Sequence, residues 1–205
     1  MDWTTFTSDK TTAGSLANWL NRGDLPTSAI LTEAEAELYK TLRVREMMTD
    51  AVLTFDDNTS SEALPSAFLD PIQYVPWEWG VPLPFVAPEI FAPPRTSAGV
   101  VEDGTPSCWT IIGTTAYIDA TIDDSDNYSG RLMYYAQPTA LSVSNTTNFL
   151  TTRYPKLLRE MSMAFAYQHM KDTQRSQEYL AYAMAGILEA NKTNEMWRRG
   201  QYVLA

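Results

Sequence analysis

Acidic residues and prolines are gathered into the middle of this chain. Residues 51–142 hold 12 acids against only Arg95 and Arg131, together with 10 of the 12 prolines. Residues 1–50 carry 8 acids and 5 bases, and residues 143–205 carry 5 acids and 8 bases. The two ends therefore balance each other, while the whole net charge of −10 sits in the segment between them. A stretch so broken by proline reads as short strands and loops, whereas both ends show apolar residues at helical spacing. At 205 residues the chain is long enough for one core with an insertion.

Toward the C-terminus, Pro155 suits the first turn of a helix, where its missing N–H is not needed. Leu158, Met161, Phe165 and His169 then form one stripe, widened by Leu157 and Ala164. After a turn at Lys171–Gln174, Leu180, Ala183, Met184, Ile187, Leu188 and Asn191 make a second stripe, and Ala181, Ala185 and Gly186 permit close packing. Toward the N-terminus, Thr7 or Ser8 can cap a helix carrying Ala13, Leu16, Ala17 and Leu20, ending near Arg22-Gly23. Pro26 opens a longer helix with Ile30, Ala34, Leu38 and Leu42 on one face. Its Glu33, Glu35 and Glu37 come early and Lys40, Arg43 and Arg45 late, which complements the helix dipole.

From Ala51 the apolar period drops from about four to two. Val52–Phe55, Trp109–Ile112, Ala116–Asp119 and Arg131–Tyr135 read as strands, with Gly113-Thr114-Thr115 as a hairpin turn. The expected fold is α+β and mainly α: a four-helix bundle with an inserted small antiparallel β-sheet, a long Pro/aromatic loop and an extended C-terminal arm. The corresponding boundaries are 1–50 and 143–194 for the bundle, 51–142 for the β-rich acidic insertion and 195–205 for the arm.

Catalytic, cofactor and metal sites are not expected. His169 is the sole histidine and lies on an apolar stripe, which reads as a core histidine; Cys108, the sole cysteine, reads as a buried small hydrophobe. No Gly-rich phosphate loop or nucleophile elbow occurs. Asp123–Asn127 offers oxygens for calcium but lacks the glycine and distal glutamate of an EF-hand, so it reads as a solvated turn. Glu33, Glu35 and Glu37 read as a solvated helix face. No apolar run approaches the roughly 20 residues of a membrane span, and the first residues lack the regions of a signal peptide, so synthesis in a cytosol is expected.

Interface residues are the better prospect. The 6 tryptophans and 12% aromatic content suggest binding surfaces, and Tyr74, Trp77 and Trp79 among prolines are candidates for contact with a neighbour or tail partner. The last stretch carries Trp197, Arg198, Arg199, Tyr202, Val203 and Leu204, more apolar surface than a solvated tail favours. It is expected to leave the bundle after the polar residues 191–194 and to dock on a partner.

Several motifs, taken in order, resemble the head-to-tail adaptor (connector) proteins of tailed bacteriophages. They are Leu16-Ala17-Asn18-Trp19-Leu20-Asn21-Arg22 with Asp24-Leu25, Ala34-Glu35-Ala36 leading to Leu42–Met47, Ala63–Leu69, and Tyr134-Tyr135 followed by Thr147–Leu150, Arg153 and Pro155. The resemblance implies a non-enzymatic virion protein at the head–tail junction, made in the host cytoplasm. It further implies a homo-oligomeric ring of about twelve copies beneath the portal protein, joined to nozzle or tail-tube proteins, through which DNA passes. In such proteins a C-terminal extension reaches the portal, a role that falls here on residues 195–205. Twelve copies would sum to about −120, a field that repels phosphate rather than holds it. Two rival readings come from the residues alone. Tyr74, Trp77, Trp79 and Trp109 could stack sugars in a carbohydrate- or host-surface-binding virion protein, and Glu62 with Asp70 could serve a cell-wall hydrolase.

Overall fold

The computed structural model describes residues 2–56, 59–78, 80–92, 96–97, 100–101, 104–121 and 128–198. The chain forms two compact units, Met1–Met47 with Pro138–Ala205, and Met48–Gln137.

In the first unit, α1 (Trp3–Thr7) and α2 (Leu16–Leu20) are single turns, followed by α3 (Thr27–Thr41). After the second unit the chain returns as α4 (Phe149–Thr152), α5 (Pro155–His169) and α6 (Thr173–Arg198). The class is α+β, but no four-helix bundle forms. The helix expected from residue 8 to 22 does not exist, because Asp9 caps a local turn through Thr11 N–H at 2.9 Å and Gly14 takes φ +90. Both compete with helical continuation. Ser15 then caps α2 afresh, its hydroxyl accepting from Asn18 N–H at 2.9 Å, and Asn21 ends it in the left-handed region. Three long helices remain, with α5 packed against both α3 and α6. This position explains why α5 buries residues all round, including Leu157, Leu158, Met161, Met163, Ala164 and Ala166. The outer helix α6 buries only Ala183, Ile187 and Asn194, so Leu180 and Leu188, expected on its buried stripe, are exposed.

Pro155 stands at the start of α5, and the α5–α6 turn uses Lys171 at φ +61 with Asp172 Oδ1 accepting from Arg175 N–H. His169 ends α5 on the exposed side, so it is not a core histidine.

The second unit is built from β1 (Met48–Phe55), β2 (Ser61–Ala63), β3 (Phe68–Pro76), a short hairpin of β4 (Thr96–Ser97) and β5 (Val100–Val101), then β6 (Trp109–Ile112), β7 (Thr115–Ile118) and β8 (Tyr128–Ala136). Two three-stranded antiparallel sheets result, ordered β1-β8-β3 and β2-β7-β6, in place of the single small sheet expected. Their shared core holds Leu53, Phe55, Tyr74, Leu83, Trp109, Ala116, Ile118, Leu132 and Tyr134. Trp109 is anchored in it by an indole N–H that donates to the Leu83 carbonyl at 3.2 Å.

Asp119 ties the entry of β6 to the end of β7. Its carboxylate accepts from the N–H groups of Ser107 (2.8 Å) and Cys108 (3.1 Å) and from the Ser107 hydroxyl. Burial pushes the carboxyl up, but these hydrogen bonds outweigh it and hold the group below its ordinary value of 3.8. A folded value below the unfolded one gives stability that is present above pH ~4 and lost as pH falls through the depressed value. Amide protection at Ser107 and Cys108 is therefore expected to fall on acidification below that point. Asp119→Asn should weaken it at neutral pH; unchanged protection in that variant would contradict the assignment. Cys108 itself is only half-buried, its thiol pushed up by burial and by Asp119.

Candidate functional site

Asn191 and Asn194 were expected to end the helix. Instead, α6 runs through them to Arg198, because their side chains do what main-chain groups need at the end of α3. Asn191 Oδ1 accepts from Arg43 N–H at 2.7 Å, its Nδ2 donates to the Thr41 carbonyl at 2.9 Å, and Asn194 Nδ2 donates to the Arg43 carbonyl at 2.9 Å. Thr41 is the last residue of α3, where helical carbonyls have no partner in the helix, and Arg43 lies just beyond it. The staple fixes the C-terminal end of α6 against the stretch leading to Glu46.

Glu46 lies in a 3₁₀ turn, Arg45–Met47. Its Oε1 accepts from Arg45 Nε at 3.2 Å and pairs with Arg153 Nη1 at 2.8 Å, joining this turn to the end of α4. Above it opens a cavity of about 370 Å³, lined by Val44, Arg45, Glu46, Arg153, Tyr154, Ala190, Thr193, Asn194 and Trp197. Arg153, Tyr154, Ala190 and Thr193 also line an adjoining groove of about 610 Å³ between the start of α5 and α6, floored by Ala185 and Gly186 and edged by Tyr182, Lys156, Glu160 and Glu189. Trp197, lining the cavity, is 46% exposed, and Tyr182, lining the groove, is exposed as well. An aromatic and apolar surface beside Arg45 and Arg153 has the residue types that anchor protein partners.

Of the residues expected in the docking arm, Trp197 and Arg198 are therefore the last two helical residues, exposed on a folded helix rather than on a departing strand. Arg199, Tyr202, Val203 and Leu204 lie outside the described residues. The aromatic group expected at 74–79 is not one platform. Tyr74 is 1% exposed in the sheet core, Trp77 is exposed, Trp79 lies outside the described residues and Trp109 is fully buried. Glu62 and Asp70 stand on β2 and β3, strands of different sheets. Asp123–Asn127 also lies outside the described residues. Among the described residues no group of three His, Cys, Asp or Glu is placed to hold a metal ion, and no helix is long and apolar enough to cross a membrane.

Glu35, expected with Glu33 and Glu37 on a solvated helix face, is instead buried. It is 2% exposed, and its carboxylate accepts from the Tyr39 hydroxyl (2.6 Å), Asn148 Nδ2 (2.8 Å) and Leu141 N–H (2.9 Å). Burial, and then the bond to Glu35, push the Tyr39 phenol well above its ordinary range, so it stays a donor. Glu35 and Asn148 come from two of the motifs quoted above, which this contact joins.

The model of one protein family, described as SU10 adaptor protein, matches residues 11–203, nearly the whole chain. No curated protein matches it.

Proposed function

Since the chain belongs to the SU10 adaptor protein family, a family of structural phage head–tail adaptors, we propose that it forms a ring beneath the portal, joins it to tail components and lets DNA pass. The observation that carries this reading is the family match, which spans segments of both compact units. The protein acts without catalysis, as a structural adaptor in the virion. Its net charge of −10 supports passage of DNA by repulsion, multiplied by the copy number of the ring. Tight DNA binding by the isolated protein at moderate salt would contradict that part.

Residues 195–205 are the portal-docking segment, and the exposed end of α6 supports this. Trp197 supplies the apolar anchor over its cavity, and Arg198 and Arg199 supply charge. Truncating residues 195–205 should leave the helical circular dichroism of the protein nearly intact, because Asn191 and Asn194 remain, while portal co-sedimentation is lost. Trp197→Ala alone should weaken portal binding by about 2 kcal/mol, more than Arg198→Ala, since central aromatics outweigh rim charges. A truncated protein that binds portal as well as the full chain would move the docking surface elsewhere. Imaging the protein mixed with portal tests the ring itself. The carbohydrate-binding reading keeps only Trp77 as an exposed ring among the described residues, since Tyr74 and Trp109 are buried.

A further inference from the structure

Every open sheet has two edges with unpaired main-chain donors and acceptors, and folded proteins normally blunt them. Three of the four edges of the two three-stranded sheets are blunted. β2 is only three residues long. β3 carries Pro71 and Pro76 and two register irregularities, and Leu83 N–H donates to its Tyr74 carbonyl at 2.9 Å. β6 is covered by the preceding segment, through Trp109 N–H to the Pro84 carbonyl and Val86 N–H to the Trp109 carbonyl, both at 3.0 Å.

β1 has none of these devices. It pairs with β8 in unbroken register from Met48↔Tyr135 to Phe55↔Tyr128. It holds no proline, glycine or lysine, and Thr49, Asp50 and Val52 are exposed, Val52 by 59%. Among the described residues no main-chain hydrogen bond is made along its outer edge. Lysine is the commonest guard of such an edge, and residues 48–137 contain no lysine at all, only Arg95 and Arg131 against 13 acids. Arg131 is engaged with Asp50 at 3.1 Å.

We propose that the outer edge of β1 is a strand-addition site for an extended, net-basic segment of a partner polypeptide. Main-chain pairing along eight residues supplies the grip, and the acidity of the unit selects the charge of the incoming strand. Self-pairing of two β1 edges is opposed, because it would set one such acidic unit against another. The inference is independent of the portal reading, since neither Trp197 nor residues 199–205 take part.

The probe is a labelled octapeptide of alternating Val and Lys with blocked ends, added to the full-length protein. It should bind and slow hydrogen exchange at β1 amides. An alternating Val and Glu peptide should not bind. N-methylation of alternate residues, which removes donors but keeps the charge, should weaken binding about tenfold, as should Val52→Lys, while Val52→Thr binds as the parent does. Circular dichroism checks the fold of both variants. Equal binding of the methylated and parent peptides, or protection elsewhere than β1, would overturn the proposal. So would slowed β1 exchange accompanied by dimerisation in concentrated protein without peptide, which would give the edge to a second copy. Loss of portal binding in the truncated chain, with peptide binding retained, separates the two readings.

Discussion

Glu35→Ala should destabilise the helical unit by about 3–4 kcal/mol, with a fall in Tm of about 10 °C. The carboxylate is buried among neutral donors only: the Tyr39 hydroxyl, the Asn148 side-chain amide and the Leu141 N–H all point to it, and no cation among the described residues pairs with it. Removing it leaves three buried donors facing a cavity, each with a desolvation cost, and releases the 138–148 segment from α3. Glu35→Gln can keep Oε1 for the Tyr39 hydroxyl and Asn148 but then sets an NH₂ against the Leu141 N–H, so about 1–2 kcal/mol is expected. Urea unfolding followed by helical circular dichroism measures both. A loss below 1 kcal/mol for the alanine variant would mean that the carboxylate does not clamp this segment.

Local pattern was enough for some elements. Pro155 and the stripe after it announce α5, and Ile30, Ala34, Leu38 and Leu42 announce α3, because both helices bury a face wide enough to leave a period in the sequence. The hairpin at Gly113, with φ +63, was legible for the same kind of reason, since a tight turn demands that residue. What failed was set by groups distant in the chain. Glu35 sits between two other glutamates, and only the return of Leu141 and Asn148 distinguishes it from its solvated neighbours. Asn191 and Asn194 look like a helix ending until Thr41 and Arg43 are placed beside them. Tyr74 and Trp77 look like one aromatic cluster, but Tyr74 faces the core within β3, whereas Trp77 lies just beyond the strand in the open. The adaptor family was legible because its motifs keep their order. The contact residues were not, because an interface is specified by its partner as much as by the chain that carries it.

Gly130→Ala should cost about 2–3 kcal/mol in the β unit, although it adds one methyl group to a strand that alanine tolerates. Gly130 lies in β8, the central strand of its sheet, opposite Pro76 on β3 and Leu53 on β1. The Tyr74 ring crosses over it diagonally from β3, and its hydroxyl reaches the carbonyls of Leu53 and Tyr128, each at 3.4 Å. A Cβ at Gly130 would lie 2.6 Å from Tyr74 Cε2 and Cζ and 2.7 Å from its oxygen, far inside contact distance. The ring cannot move aside, because Phe55 packs edge-on at 5.8 Å and Trp109 lies 5.9 Å away. Burial also keeps the phenol protonated, well above its ordinary range, so its two carbonyl contacts depend on this position. Tyr74→Leu alone should cost about 2–4 kcal/mol through the lost ring. In the double variant the methyl group meets no ring, so the summed cost should shrink by about 1–3 kcal/mol. Hydrogen exchange of the Trp109 indole N–H, which donates to the Leu83 carbonyl, reports the opening of this core directly. Strict additivity of the two substitutions would mean that Gly130 is not there to let the tyrosine cross the sheet.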